Sequence, residues 1–141
     1  VADEHQYCTF LVDGHYFGID VRRVQEIIRY QEMTVVPLAP AVVRGLINLR
    51  GQIVTALDLR RRLDLPDRPA GVPPVNVVVQ TDDGAVSLLV DEIGDVLQVS
   101  ETVFERPPET LRGTARDLIR GAYKLADRLL LILDTERTVD S

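Results

Sequence analysis

The sequence has 141 residues, 45% of them hydrophobic, and 16 Lys and Arg stand against 22 Asp and Glu for a formal net charge of −6. That length suits one domain with a substantial core. The acidic balance gives no basic face for nucleic-acid phosphates or for anionic lipid. The longest apolar run, Leu129-Leu130-Leu131-Ile132-Leu133, falls far short of the ~20 residues that cross a bilayer. Residues Val1 to Gln6 do not read as a signal peptide, and Cys8, the only cysteine, cannot form an intrachain disulfide. A cytoplasmic location without membrane insertion is expected.

In chain order, Tyr7 to Val12 has strand composition, Asp13-Gly14 turns the chain, and His15 to Ile19 returns. Val21, Val24, Ile27 and Ile28 then fall at helical spacing behind a capping Asp20, which predicts a short helical turn. An irregular stretch ends at Pro37-Leu38-Ala39-Pro40. A second hairpin follows, from Leu46 to Leu49, through Arg50-Gly51, and back from Gln52 to Leu59. Arg60-Arg61-Arg62 reads as the exposed face of a short helix anchored by Leu59 and Leu63. Pro66 to Pro74 holds four of the eight prolines and can neither pair as a central strand nor continue a helix.

The pattern then recurs. Asn76 to Thr81 and Ala85 to Val90 form a hairpin around Asp83-Gly84. Ile93, Val96 and Leu97 repeat the helical spacing behind Asp91, an irregular stretch ends in Arg106-Pro107-Pro108, and Ala122 to Leu125 pairs with Arg128 to Leu133 across Ala126-Asp127. Segment 43–58 echoes in segment 119–134 at an offset of 76 with no gap, with Arg-Gly, the central Leu and the final Leu-Asp identical. The chain therefore reads as one domain, 1–141, of two related units, 7–65 and 75–139, joined by a linker at 66–74. Exchange of strands between the units is left open by the sequence. Short strands with frequent turns predict small β-barrels, and a barrel of about 65 residues is marginal alone, so the two should share an aliphatic interface with a groove between lobes.

No constellation for catalysis or metal binding emerges. His5 is placed in a terminal tail and His15 on the solvent side of a turn, without HxH, HExxH or CxxC spacing. Cys8 shares a strand face with Phe10 and Val12 and reads as a buried structural thiol. Asp82, Asp83, Asp91, Glu92 and Asp95 lack the glycine-centred pattern of a calcium loop and read as a solvated rim. No glycine-rich phosphate loop, and hence no cofactor, is indicated.

The two copies serve as mutual controls. Arg44-Gly45 and Asp58 recur as Arg120-Gly121 and Asp134, which favours structural roles. Asn48, Arg50 and Gly51 become Lys124, Ala126 and Asp127, so the fold can build this hairpin without them. An arginine at a hairpin tip suits binding, because its planar fork offers several directed donors; a merely solvated turn residue is the plain alternative.

Val43 to Val54 followed by Leu57-Asp58-Leu59-Arg60 resembles the signature of the CheW family, as do Phe17-Gly18-Ile19-Asp20-Val21, Val24-Gln25-Glu26-Ile27, Leu89-Val90-Asp91, Val96-Leu97 and Leu129 to Asp134. The resemblance covers about residues 7 to 139. It implies a mainly β fold of two SH3-like β-barrel lobes with short helices, no catalysis and no cofactor. It implies a scaffold that couples the cytoplasmic tip of methyl-accepting chemoreceptors to the regulatory domain of the histidine kinase CheA within arrays at the inner face of the membrane. By motif match the receptor-facing residues are Val24, Glu26, Asn48 and Arg50, with Gly45 shaping the backbone nearby; no kinase-facing residue is marked. Thr55-Ala56 departs from the proline often found there and predicts a looser returning strand. The same resemblance admits an adaptor of a pilus or surface-sensing pathway, or a domain cut from a kinase or receiver fusion. A small hydrolase using Cys8 or the acidic stretch is the reading from a different class.

Overall fold

Turn chemistry sets the hairpins. In the computed structural model, which describes residues 4–100, 104–106 and 113–139, β1 (Glu4–Val12) and β2 (His15–Asp20) meet at Asp13-Gly14, with φ of 51° and 78°. Two positive φ angles match the right-handed twist of the flanking strands. β3 (Val24–Ile28) precedes β4 (Val43–Leu49) and β5 (Gln52–Asp58), which turn at Arg50-Gly51 with the same pair of positive angles, 51° and 88°. The helix α1 (Leu59–Arg62) follows, capped by the Asp58 carboxylate on Arg60 N at 3.0 Å. Segment 66–74 has no helix or strand. β6 (Val75–Thr81) and β7 (Gly84–Val90) form the third hairpin, then come β8 (Glu92–Ser100), β9 (Phe104–Glu105), α2 (Thr114–Leu118), β10 (Ile119–Lys124), β11 (Leu129–Leu133) and α3 (Thr135–Val139). No described helix is long and apolar enough to cross a membrane.

Three local expectations are corrected. Val21–Arg23 is a single 3-10 turn capped by Asp20, after which the chain is strand, not helix. Apolar spacing of three and four is met by a bulged strand: β3 pairs with β6 through Val24↔Val79 and Ile27↔Val77, with the register shifting between Val24 and Glu26. The stretch after Asp91 is likewise strand β8, bonded to β1 with a shift between Cys8 and Phe10. A Cβ at Gly94 would lie 2.6 Å from Thr9 Oγ1, so glycine here permits close strand approach. His5 belongs to β1, opposite Val99, not to a tail. Pro107-Pro108 lies outside the described residues.

The strands form two sheets, ordered β8-β1-β2-β11-β10-β9 and β3-β6-β7-β5-β4. β2 pairs with β11, and β7 with β5, in parallel. Each sheet thus takes one hairpin from before segment 66–74 and one from after it. Local detail agrees at the offset of 76. A bulge falls between Val43 and Gly45 and again between Ile119 and Gly121, and Asp58 N donates to Val42 O as Asp134 N donates to Leu118 O, both at 2.8 Å. β5 is paired on both sides, Ala56 facing Gly45 and Ser87, so Thr55-Ala56 does not loosen it.

Side chains of both sheets meet in one core. Phe10, Val12, Phe17 and Ile19 pack with Val77, Val79, Leu88 and Val90. At about 1.5–3 kcal/mol for each fully buried side chain, this interface dominates the favourable terms. A second cluster of Tyr7, Tyr16, Tyr123, Leu130 and Ile132 forms on strands of the first sheet. The result is a mainly β, two-lobe fold.

Arg60 is not on an exposed face. It is 8% exposed and grips Asp91 with two bonds, Nε to Oδ1 at 3.0 Å and Nη2 to Oδ2 at 2.6 Å. Its Nη1 donates to Pro66 O at 2.9 Å. Arg68 of the linker lays Nε 3.2 Å from Asp91 Oδ1 and Nη1 3.9 Å from Asp58 Oδ2. Asp58, 1% exposed, also takes Arg44 at 3.1 Å. Asp91 is therefore the anchor of a strap, not a member of the solvated rim, whereas Asp82, Asp83, Glu92 and Asp95 are exposed. Burial disfavours the Asp91 carboxylate, but the Arg60 bonds, Asp13 N–H and the charge of Arg68 outweigh it and hold its pKa below the ordinary 3.8.

Asp91→Ala should cost about 3 kcal/mol in chemical denaturation, since it strands two guanidinium groups. The Asp91 contribution to stability is complete above about pH 3.8 and is lost as pH falls through its lower folded value. The wild-type midpoint should drop more steeply over that acid range than that of Asp91→Asn; parallel pH profiles would remove Asp91 from the acid transition.

Candidate functional site

Sequence-marked residues converge at the edge of the second sheet. At the β4–β5 tip, Asn48 Oδ1 accepts Gly51 N at 2.8 Å, so the side chain of Asn48 holds the turn that presents Arg50. Arg50 is exposed, its side chain 74% accessible, and its Nη2 pairs with Glu26 Oε2 on β3. β3 and β4 are opposite edges of that sheet, and the sheet curls to bring them together. Thr34, beyond β3, closes the curl: its N donates to Leu46 O at 2.9 Å and its O accepts from Leu46 N at 2.8 Å.

Gly45 makes this closure possible. It is buried with φ of +157°, and an added Cβ would lie 2.7 Å from Thr34 O. Glu26 is mostly covered, and its Oε1 is buried with no hydrogen-bond donor among the described residues. Arg50 thus compensates a carboxylate that would be costly to leave alone. Val24 stands apart: it is half-buried against the shared core. The geometry therefore unites Glu26, Asn48 and Arg50, with Gly45 as their backbone support, and leaves Val24 outside the cluster.

Two apolar residues escaped the sequence reading. Ile53, the cross-strand partner of Asn48, is 61% exposed, and Ile27 is 40% exposed beside Glu26. Their strands could be read from the sequence; which face would be left uncovered could not, because that depends on where the sheet closes. Ile53 gives the hairpin tip an exposed apolar neighbour, the mixture typical of a protein-binding surface.

Cys8 is buried, and burial followed by the charge of Asp20 pushes its thiol pKa up, away from the thiolate a nucleophile needs. Among the described residues no group of three or more His, Cys, Asp or Glu could hold a metal ion. An apolar cavity of about 330 Å³ lies among Val42, Val43, Leu57, Val86 and Val139, and none of the five marked residues lines it.

A family model described as CheW-like domain matches residues 6–141. The chemotaxis protein CheW of Bacillus subtilis is 34% identical over 132 residues, 94% of this chain and 85% of its own. The chemotaxis protein CheW of Treponema pallidum is 28% identical over 143 residues, 99% of this chain and 84% of its own. In structure, the scaffolding protein TtCheW from Thermoanaerobacter tengcongensis shares the fold, with a TM-score of 0.86 at 24% identity over 97% of this chain and 88% of that one.

Gly45→Ala should destabilise the protein by about 1–3 kcal/mol, because the new methyl meets a backbone carbonyl at a backbone angle that side chains avoid. Urea denaturation checks this. Gly51→Ala, with open space around its Cβ position, meets no carbonyl and should cost less; equal losses would discount the Thr34 contact.

Proposed function

The chain belongs to the CheW-like family, and from that premise we propose that it couples methyl-accepting chemoreceptors to the histidine kinase CheA as a non-catalytic scaffold of chemotaxis signalling. The reading includes a cytoplasmic position at the inner face of the membrane, held through receptor complexes within an array. The receptor's cytoplasmic tip is assigned to the surface around Arg50, Glu26 and Asn48, with Gly45 as its backbone support and Val24 on the strand that carries Glu26, and the regulatory domain of CheA to another face of the same body.

The observation that carries this assignment is the Arg50–Glu26 pair across the closing edges of the second sheet. It fixes an exposed guanidinium at a turn whose returning strand leaves Ile53 uncovered. A pre-set arginine loses little freedom on binding, and Arg is enriched among the few residues that dominate interface energies. Signal transfer on this reading is mechanical: two partners grip one rigid body, and each receptor state must make different contacts if it is to bias the kinase.

The same reading takes the domain as a duplicated unit, 7–65 and 75–139 joined by 66–74, with strands exchanged between the lobes. Matching sheet orders, matching bulges and the paired Asp58 and Asp134 backbone bonds support it.

Arg50→Ala should weaken binding of a receptor-tip fragment by about 1–3 kcal/mol while the circular dichroism spectrum stays unchanged. Calorimetric titration reads the affinity. The charge exchange Arg50→Glu with Glu26→Arg should restore much of any lost stability without restoring receptor affinity. An unaltered affinity in a folded Arg50→Ala protein would remove the tip from the site.

A further inference from the structure

The offset of 76 residues carries Arg44, Asp58 and Arg60 onto Arg120, Asp134 and Glu136. At the first location the place between α1 and the end of β7 is filled by the linker, whose Arg68 side chain is 6% exposed against Asp91 and Asp58. At the second location no described segment enters. A polar cleft of about 500 Å³ opens there between the ends of β2, β10 and β11 and the start of α3.

One charge is reversed between the two locations, while Arg44 and Asp58 keep their sign as Arg120 and Asp134. Arg60 grips Asp91 at 2.6 Å, whereas Glu136, its counterpart, grips Arg23 at 2.8 Å. Arg22 is committed to Asp20 at 2.7 Å. Arg44 has Asp58 at 3.1 Å, but Arg120 is exposed and has no hydrogen bond or ion pair among the described residues. The cleft walls carry four guanidinium groups, of Arg22, Arg23, Arg120 and Arg137, and three carboxylates, of Asp20, Asp134 and Glu136. Asp82, 4.0 Å from Arg23, stands on the exposed rim.

We propose that this cleft docks an extended acidic segment of another protein, with one of its carboxylates taking the free guanidinium of Arg120. The chain supplies its own precedent for the mode: at the filled location an extended, proline-flanked segment enters by one long charged side chain, and a guanidinium also holds its backbone carbonyls at Pro66 and Asp67. Gln80 extends the open cleft beside Arg22 and Arg23 and offers an amide for a similar backbone contact. The overall charge of −6 does not forbid an acidic ligand, because distant carboxylates are screened beyond about 8 Å at physiological salt while a direct Arg–carboxylate pair is not. This site is separate from the Arg50 surface and does not depend on the receptor reading.

The test uses the whole protein, isotopically labelled, titrated with a synthetic peptide of residues 66–74 carrying Arg68→Glu. Amide resonances around Arg22, Arg23, Arg120 and Arg137 should shift saturably, and the unmodified peptide should leave them in place. Arg120→Glu, a change at an exposed side chain, should weaken the Glu peptide about tenfold or more, Arg120→Ala should weaken it less, and Arg50→Ala should have no effect. Failure of the Glu peptide to bind would overturn the proposal, as would full affinity in Arg120→Glu with an intact spectrum. Shifts of the same size from inorganic phosphate alone, with no tighter binding of the peptide, would show a site for small oxyanions only and would equally overturn it.

Discussion

Two parallel strand contacts, β2 with β11 and β7 with β5, are the constraint on which the rest of this structure depends. Each joins a hairpin from one half of the chain to a hairpin from the other, so neither sheet can be completed by residues on one side of segment 66–74. The consequence is thermodynamic. A stretch of about 65 residues buries too little surface to be comfortably stable by itself, and here neither half of the chain holds a whole sheet. The core records this, since Phe10 and Phe17 of the first sheet pack with Val77 and Leu88 of the second. Moving one lobe against the other would break the side-chain contacts of this shared core.

Segment 66–74 runs between α1 and β6, and the ion pairs explain how it is held there. Pairing charges away from water is expensive, and an apolar contact of equal volume would often do as well. Arg60 and Arg68 gain specificity: both must reach Asp91, and Arg60 also binds the carbonyls of Pro66 and Asp67. Only one path of the proline-rich segment satisfies those bonds together. Because Asp91 Oδ2 also accepts Asp13 N at 2.8 Å, the strap reaches the β1–β2 turn. One carboxylate thereby coordinates α1, the linker and the start of β8.

What the sequence disclosed and what it hid divide along the distance over which each feature is decided. Asp13-Gly14 and Arg50-Gly51 announce their hairpins because two adjacent residues settle the turn. The recurrence of Arg44-Gly45 as Arg120-Gly121 was legible as structural, and both pairs sit at bulges. Val21 to Ile28 misled because a bulge lets a strand imitate helical spacing, and only the ladder to β6 decides between them. Arg60 misled because its partner lies 31 residues onward; the local pattern of α1 gives it no reason to turn inward. At the candidate site, Asn48 and Arg50 stood out by differing between copies, and Glu26 entered through the family resemblance. Their meeting, and the exposure of Ile53 beside them, follow from the sheet's closure through Thr34, which no local pattern contains.

Rigidity and asymmetry then combine. Two equivalent frameworks differ chiefly in their edges: one hairpin tip carries Asn48, Arg50 and Gly51, its counterpart Lys124, Ala126 and Asp127; one charged hollow is closed by the linker and the other is open. Because the shared core fixes the frameworks to each other, each edge can carry a different contact without disturbing the fold that positions it. A displacement imposed at Glu26 on β3 passes directly into β6 and β7, the central strands of its sheet, whose side chains Val77, Val79 and Leu88 abut Phe10 and Phe17. Close-packed interiors deform little. A push at one edge is therefore felt across the lobe boundary as motion of the whole body, which is the property a coupling scaffold needs and a loosely hinged pair of domains would lack.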